Sequence, residues 1–160
     1  MDNSHIFLVL GAIVLLAILV LNVNRTILSS ADNALQAEAI TTTTSVAQRT
    51  IDLISSKAFD NATVNAPVTN TSDLTAPGLL GPDSGENVNS YNDVDDYNNY
   101  SAVISTPRLG NVGVRVNVRY VNPSQPDQIA STQTRMKRIK VLTTSVYMPD
   151  TLRLYYYSSY

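Results

Sequence analysis

The densest group of chemistry-bearing side chains is the octet Asp93-Val-Asp-Asp-Tyr-Asn-Asn-Tyr100. Three carboxylates within four residues can ligate Ca²⁺, a hard cation that takes six to eight oxygens. The EF-hand spacing is not met, because Tyr97 holds the third acidic place and Asn98 the glycine place. The candidate metal set is therefore Asp93, Asp95 and Asp96. The competing and preferred reading is an acidic turn that leads into a strand, with Tyr97 and Tyr100 packing. Asp95 and Asp96 could also form a catalytic carboxylate pair, but no other feature points to a cleft.

Other chemistry is bounded by composition. There is no cysteine, so thiolate catalysis and Cys-ligated metals are excluded, and no disulfide framework exists. His5 is the single histidine and lies beside an apolar run, which removes His-based triads. No nucleophile motif is present, so no enzyme activity and no cofactor are expected. Arg135, Lys137, Arg138 and Lys140, with Arg115 and Arg119, could meet phosphates. No groove-entering element or aromatic stacking motif accompanies them in the sequence, so they read as a solvated sheet face or as partners for acidic residues, and no nucleic acid is expected. Nine tyrosines and sequons at Asn24, Asn61, Asn70 and Asn99 complete the inventory.

Charge is unevenly distributed. Residues 1–59 sum to −1, residues 60–100 to −7 without a single base, and residues 101–160 to +6. An acidic segment and a basic segment of one chain can pair within a subunit or between subunits.

The elements that carry these residues begin with a long helix. Ile6 to Leu21 is an unbroken apolar run. No proline occurs before Pro67 and no glycine between Gly11 and Gly78, so nothing forces a stop from Ala12 to Phe59. The run covers ~24 Å as helix against a hydrocarbon core of ~30 Å, adequate with thinning or partial emergence. Residues 1–5 hold Asp2 and no base, so the segment is read as retained, although Ser29-Ser30-Ala31 could pass as a cleavage site. Beyond it, Ile27, Leu28, Ala31, Leu35, Ala39 and Val46 recur at helical spacing. Ile51, Leu53, Ile54, Ala58 and Phe59 are available for a core.

The division expected is an apolar membrane or bundle helix (1–24), an amphipathic stalk helix (25–59), an acidic Asn-rich connector (60–100) and an antiparallel β-domain (101–160). In the connector, Leu74, Leu79 and Leu80 are expected to anchor to the core. In the last part, four strands are expected near 100–106, 111–121, 134–147 and 151–158, with 122–127 as a loop. Short connections make them a four-stranded meander, and one helix on one face gives an α+β fold.

This order of apolar helix, amphipathic helix, long connector and antiparallel meander resembles type IV pilins and type II secretion pseudopilins. The octet resembles an Asp-Asp-Tyr-Asn-Gly-Tyr element of minor-pilin-like proteins, with Asn99 where glycine would stand. The chain departs from the family pattern at its start. Gly11, the one candidate cleavage glycine, is followed by Ala12, and Leu16 stands where the family has glutamate. The resemblance implies a structural filament subunit of the cell envelope, in the inner membrane before assembly and then at the cell surface. Its partners would be copies of itself or other pilins, bundled through Leu10, Ile13, Leu16, Leu28 and Leu35. The alternative is a single-pass anchored envelope domain that binds a ligand or surface.

Overall fold

The computed structural model describes residues 3–160. The architecture is α+β: one long helix, α1 (Asn3–Ser55), then a connector with three short 3-10 turns, then an antiparallel sheet. By residue contacts the chain divides into two compact units, the second being Ala39–Tyr160.

In the first unit, residues 3–35 of α1 are all exposed. The helix here is apolar around its whole circumference from Ile6 to Leu21, and one stretch is long and apolar enough to cross a membrane. Hydroxyl residues do not break α1, because their side chains donate back to its own carbonyls. Thr26, Thr43, Thr44, Ser45 and Thr50 each bond the carbonyl four residues earlier. That leaves the backbone ladder intact through the β-branched run 41–44.

In the second unit, the buried face of α1 is Ala39, Thr43, Ala47, Thr50, Ile51 and Ile54. Small residues at its start allow a close approach to the sheet: Thr143 donates to the Thr43 carbonyl at 3.4 Å. The helix ends at Ser55 and not at Phe59. The hydroxyls of Ser55 and Ser56 donate to the carbonyls of Asp52 and Leu53, satisfying the free helix end. Ala58 then pairs as an isolated parallel bridge with Asp93, its N–H donating to the Asn92 carbonyl and its carbonyl accepting from the Val94 N–H. That pairing holds the chain extended where helix was expected.

The sheet has five strands: β1 (Ser101–Thr106), β2 (Gly110–Asn122), β3 (Gln125–Ile129), β4 (Met136–Thr144) and β5 (Leu152–Ser159). Their order is β1-β2-β4-β5, all antiparallel, with β3 paired to β2 outside that path. The four-strand expectation misses β3, which begins inside the 122–127 segment expected as a loop. That strand is exposed along its length and contains Pro126, so it shows neither alternation nor β composition.

One sheet face is buried by alternation. Val114, Val116 and Val118 of β2 and Ile139 and Val141 of β4 pack with Ala47, Ile51, Ile54, Tyr91, Val94 and Tyr97, flanked by Leu152, Leu154 and Tyr156 of β5. A smaller cluster joins Phe59, Leu74, Leu80 and Tyr120. Leu74 and Leu80 thus anchor the connector as expected, whereas Leu79 is 75% exposed.

Candidate functional site

Three places can be compared with the sequence expectations: the apolar helix, the acidic octet and the outer sheet face. On α1, Leu10, Ile13, Leu16 and Leu28 are all 59–65% exposed and Leu35 is 36% exposed. At 3.6 residues per turn, Leu10, Leu28 and Leu35 fall along one side, while Ile13 and Leu16 turn progressively away from it. The five do not form a single seam. In the apolar run every side of the helix can serve as a contact, and only the later part restricts contact to one side.

Asp93 to Asn98 of the octet are buried, and most of their polar atoms have partners, while Asn99 is exposed. Asp93 Oδ1 accepts the N–H groups of Asp95 at 2.6 Å and Asp96 at 3.3 Å. Asp96 Oδ2 accepts those of Asn92 at 2.8 Å and Asp93 at 3.1 Å. The two carboxylates hold each other's backbone, which fixes the short 3-10 turn Asp95–Tyr97. Asn98 links the turn to the rest: its Nδ2 donates to the Leu80 carbonyl, and its Oδ1 accepts from Val118 N–H, Asn117 and Arg119. Asn99 adopts φ 62°, the left-handed region that asparagine tolerates. Tyr91, Tyr97 and Tyr100 pack edge to face, with centroids 5.1 and 5.8 Å apart.

The Ca²⁺ candidate does not survive this geometry. Asp93, Asp95 and Asp96 do not converge on a common position, and among the described residues no group of three acidic, His or Cys side chains is arranged to hold a metal ion. Asp93 Oδ1 and Asp96 Oδ2 face backbone N–H groups, and Asp95 Oδ1 faces one cation, Lys137.

Of the two readings of Lys137, a solvated basic face and a partner for the acidic connector, the second holds: it is 0% exposed and pairs with Asp60 and Asp95 of the connector. Its position on β4 has the parity of Ile139 and Val141, so it points inward with them. Nζ donates to the Phe59 carbonyl at 2.8 Å, to Asp60 Oδ2 at 2.7 Å and to Asp95 Oδ1 at 2.5 Å. The rings of Phe59 and Tyr120 lie 4.4 and 4.9 Å from it. Asp60 also accepts from the Tyr120 hydroxyl, the Ala62 N–H and the Thr75 N–H and hydroxyl. Asp95 Oδ2, by contrast, is buried with no hydrogen-bond partner.

One ammonium cannot serve two carboxylates equally, and the two titrate apart. For Asp60, burial pushes the carboxyl up, but Lys137, the Tyr120 hydroxyl and the Ala62 N–H outweigh it and hold the pKa at about 2. For Asp95, burial dominates and the neighbouring Asp93 and Asp60 add to it, so the pKa rises to about 7 despite Lys137. Asp93 rises to about 6, through burial and the nearby Asp96.

The outer sheet face carries Arg115 and Arg119 of β2, Arg138 and Lys140 of β4 and Arg153 of β5, as register requires. Arg119 stands directly opposite Arg138, an unfavourable like-charge pair. Lys137 makes its two ion pairs, to Asp60 and Asp95, on the other face. Arg115 and Lys140 line a shallow hollow of about 500 Å³ with Asn99, Tyr100, Asn117 and Leu142. Tyr155 and Tyr157 lie on this face too, and Arg138 sits 5.5 Å from the Tyr155 ring. The aromatic neighbours that the linear sequence lacked are supplied by β5.

Fold and site together define an α+β protein whose N-terminal helix carries a membrane-length apolar stretch. No family model matches the chain, and no curated protein or solved structure does either.

Proposed function

We propose that this chain is a structural subunit that assembles by bundling its N-terminal helices into a pilus-like or pseudopilus-like filament of the cell envelope. The observation that carries the reading is the uncovered surface of α1. Ile6 to Val23, then Ile27 and Leu28, expose large apolar side chains by half to three-quarters. Each such side chain contributes ~1.5–3 kcal/mol when removed from water. A bilayer accounts for the first part. It does not account for Ile27, Leu28 and Leu35 in a helix where Asp32 and Glu38 are the only charges between Arg25 and Arg49. A solvated single helix would carry more charge.

A single-pass anchored envelope domain is the second reading, supported by the membrane-length stretch alone. Leu28→Glu and Leu35→Glu separate the two. Each puts a carboxylate into an apolar interface without a partner, so filaments seen by electron microscopy of sheared surface material should disappear while membrane insertion persists. Normal filaments in both variants, or a wild-type chain that never polymerises, would leave the anchored monomer as the better account.

A further inference from the structure

We infer that Lys137 and Asp95 condense to an amide, an internal cross-link between β4 and the connector, with Asp60 relaying the proton. Nothing in the filament reading requires this, and it stands or fails independently of it.

The geometry is that of two reactants held together. Nζ lies 2.5 Å from Asp95 Oδ1, the oxygen bonded to the carboxyl carbon that addition would attack, so the two reacting groups are already in contact. Both groups are fixed by burial: Lys137 is 0% exposed and Asp95 is 2% exposed. Asp60 Oδ2 is 2.7 Å from the same nitrogen, positioned to take and return a proton. The Phe59 and Tyr120 rings close over the nitrogen, excluding the water that would drive the reverse hydrolysis. The orphaned Oδ2 of Asp95 is a second, independent observation. A buried acceptor without a partner costs free energy, and condensation removes one carboxyl oxygen from the site.

The step balances without any added reagent. A proton passes from the Lys137 ammonium to the Asp95 carboxylate, which the raised Asp95 pKa favours. The amine lone pair attacks Cγ and the C–N bond forms. Asp60, ionised by its many donors, accepts a proton from the nitrogen and delivers it to a departing Asp95 oxygen. The C–O bond breaks and one water leaves. An ammonium and a carboxylate become an amide and water, Asp60 is regenerated, and nothing is oxidised or reduced. The product closes a 42-residue loop in a chain with no cysteine, doing covalently what a disulfide does elsewhere.

Intact mass spectrometry of the denatured full chain, purified in detergent, tests this. The wild-type protein should be lighter than its sequence by one water. Trypsin should yield a branched peptide joining the Asp95 and Lys137 segments. Lys137→Arg, which keeps the charge but not the amine, should restore the full sequence mass. Asp95→Asn should lose ammonia in place of water, and Asp60→Asn should leave the chain uncross-linked. A wild-type mass equal to the sequence mass overturns the inference and leaves a buried ion triad. So does a water loss that persists in Lys137→Arg, since a cyclic imide elsewhere gives the same mass, or a cross-link formed normally in Asp60→Asn, which removes the proposed relay.

Discussion

Asp93 shows how one buried carboxylate sets a pH dependence. Its side chain is an internal hydrogen-bond acceptor for the turn, yet burial and Asp96 raise its pKa to about 6. The folded state therefore binds this proton more tightly than the unfolded chain, where the group titrates near its ordinary value of 3.8. Its stabilising contribution is complete below the ordinary value and is lost as pH rises through about 6. Asp60 has the opposite sign. With its pKa lowered to about 2, its contribution is complete above 3.8 and is lost as pH falls toward 2. The two together place the most favourable range near pH 4. Urea unfolding of the full chain should accordingly show lower stability at pH 8 than at pH 5, by on the order of 2 kcal/mol. Asp93→Asn should reduce that slope by the Asp93 part, because a free Asp95 carboxyl, raised to about 7, acts in the same direction. An equal or higher midpoint at pH 8 in the wild type would show that Asp93 is ionised in the fold.

At the scale of elements, legibility followed local pattern. Helix α1 could be read from missing breakers, and β2 from the alternation of Val112, Val114, Val116, Val118 and Tyr120. Both are periodic signals that need no distant partner. Strand β3 was not legible, since an exposed strand with a proline carries no such period. The end of α1 was not legible either, because the pairing of Ala58 with Asp93 joins segments far apart in the chain. The octet was legible as an acidic turn that leads into a strand with Tyr97 and Tyr100 packed, but the burial of its carboxylates was not. What Asp95 meets is decided by Lys137, whose inward parity on β4 was the overlooked signal. The connector gives the same contrast in three leucines. Leu74 and Leu80 are buried beside Tyr120 and Leu79 is not. Leu74→Ala should cost about 2–4 kcal/mol, as core truncations do, while Leu79→Ser should stay within about 0.5 kcal/mol. Thermal or urea unfolding checks both, and equal effects would mean that the connector is not anchored at Leu74.

At the scale of the molecule, the charge that matters is what remains outside after folding. Four of the connector's seven acids, Asp60, Asp93, Asp95 and Asp96, are buried, so this segment presents Asp73, Asp83 and Glu86. On the sheet, Lys137 is withdrawn and five bases stay on the outer face. Of these, Arg119 is tied to Asn98 and Arg138 to the Asp127 carbonyl. Arg115 and Arg153 are exposed. Such a face repels itself and gains by meeting anions. If heads of neighbouring subunits meet in a filament, this face is where salt should act, because exposed charges are screened over ~8–10 Å at moderate ionic strength. Arg115→Glu with Arg153→Glu should therefore impair assembly at low salt while leaving the unfolding midpoint within about 1 kcal/mol, since neither side chain has an internal ionic partner to lose. Raising the salt should weaken wild-type assembly and narrow the gap between the two proteins. Filament yield by sedimentation, read beside the unfolding midpoint of the same preparations, separates the cases. Assembly of the double variant equal to wild type at low salt would make this face a solvated surface and leave the helix contacts alone to hold the subunits together.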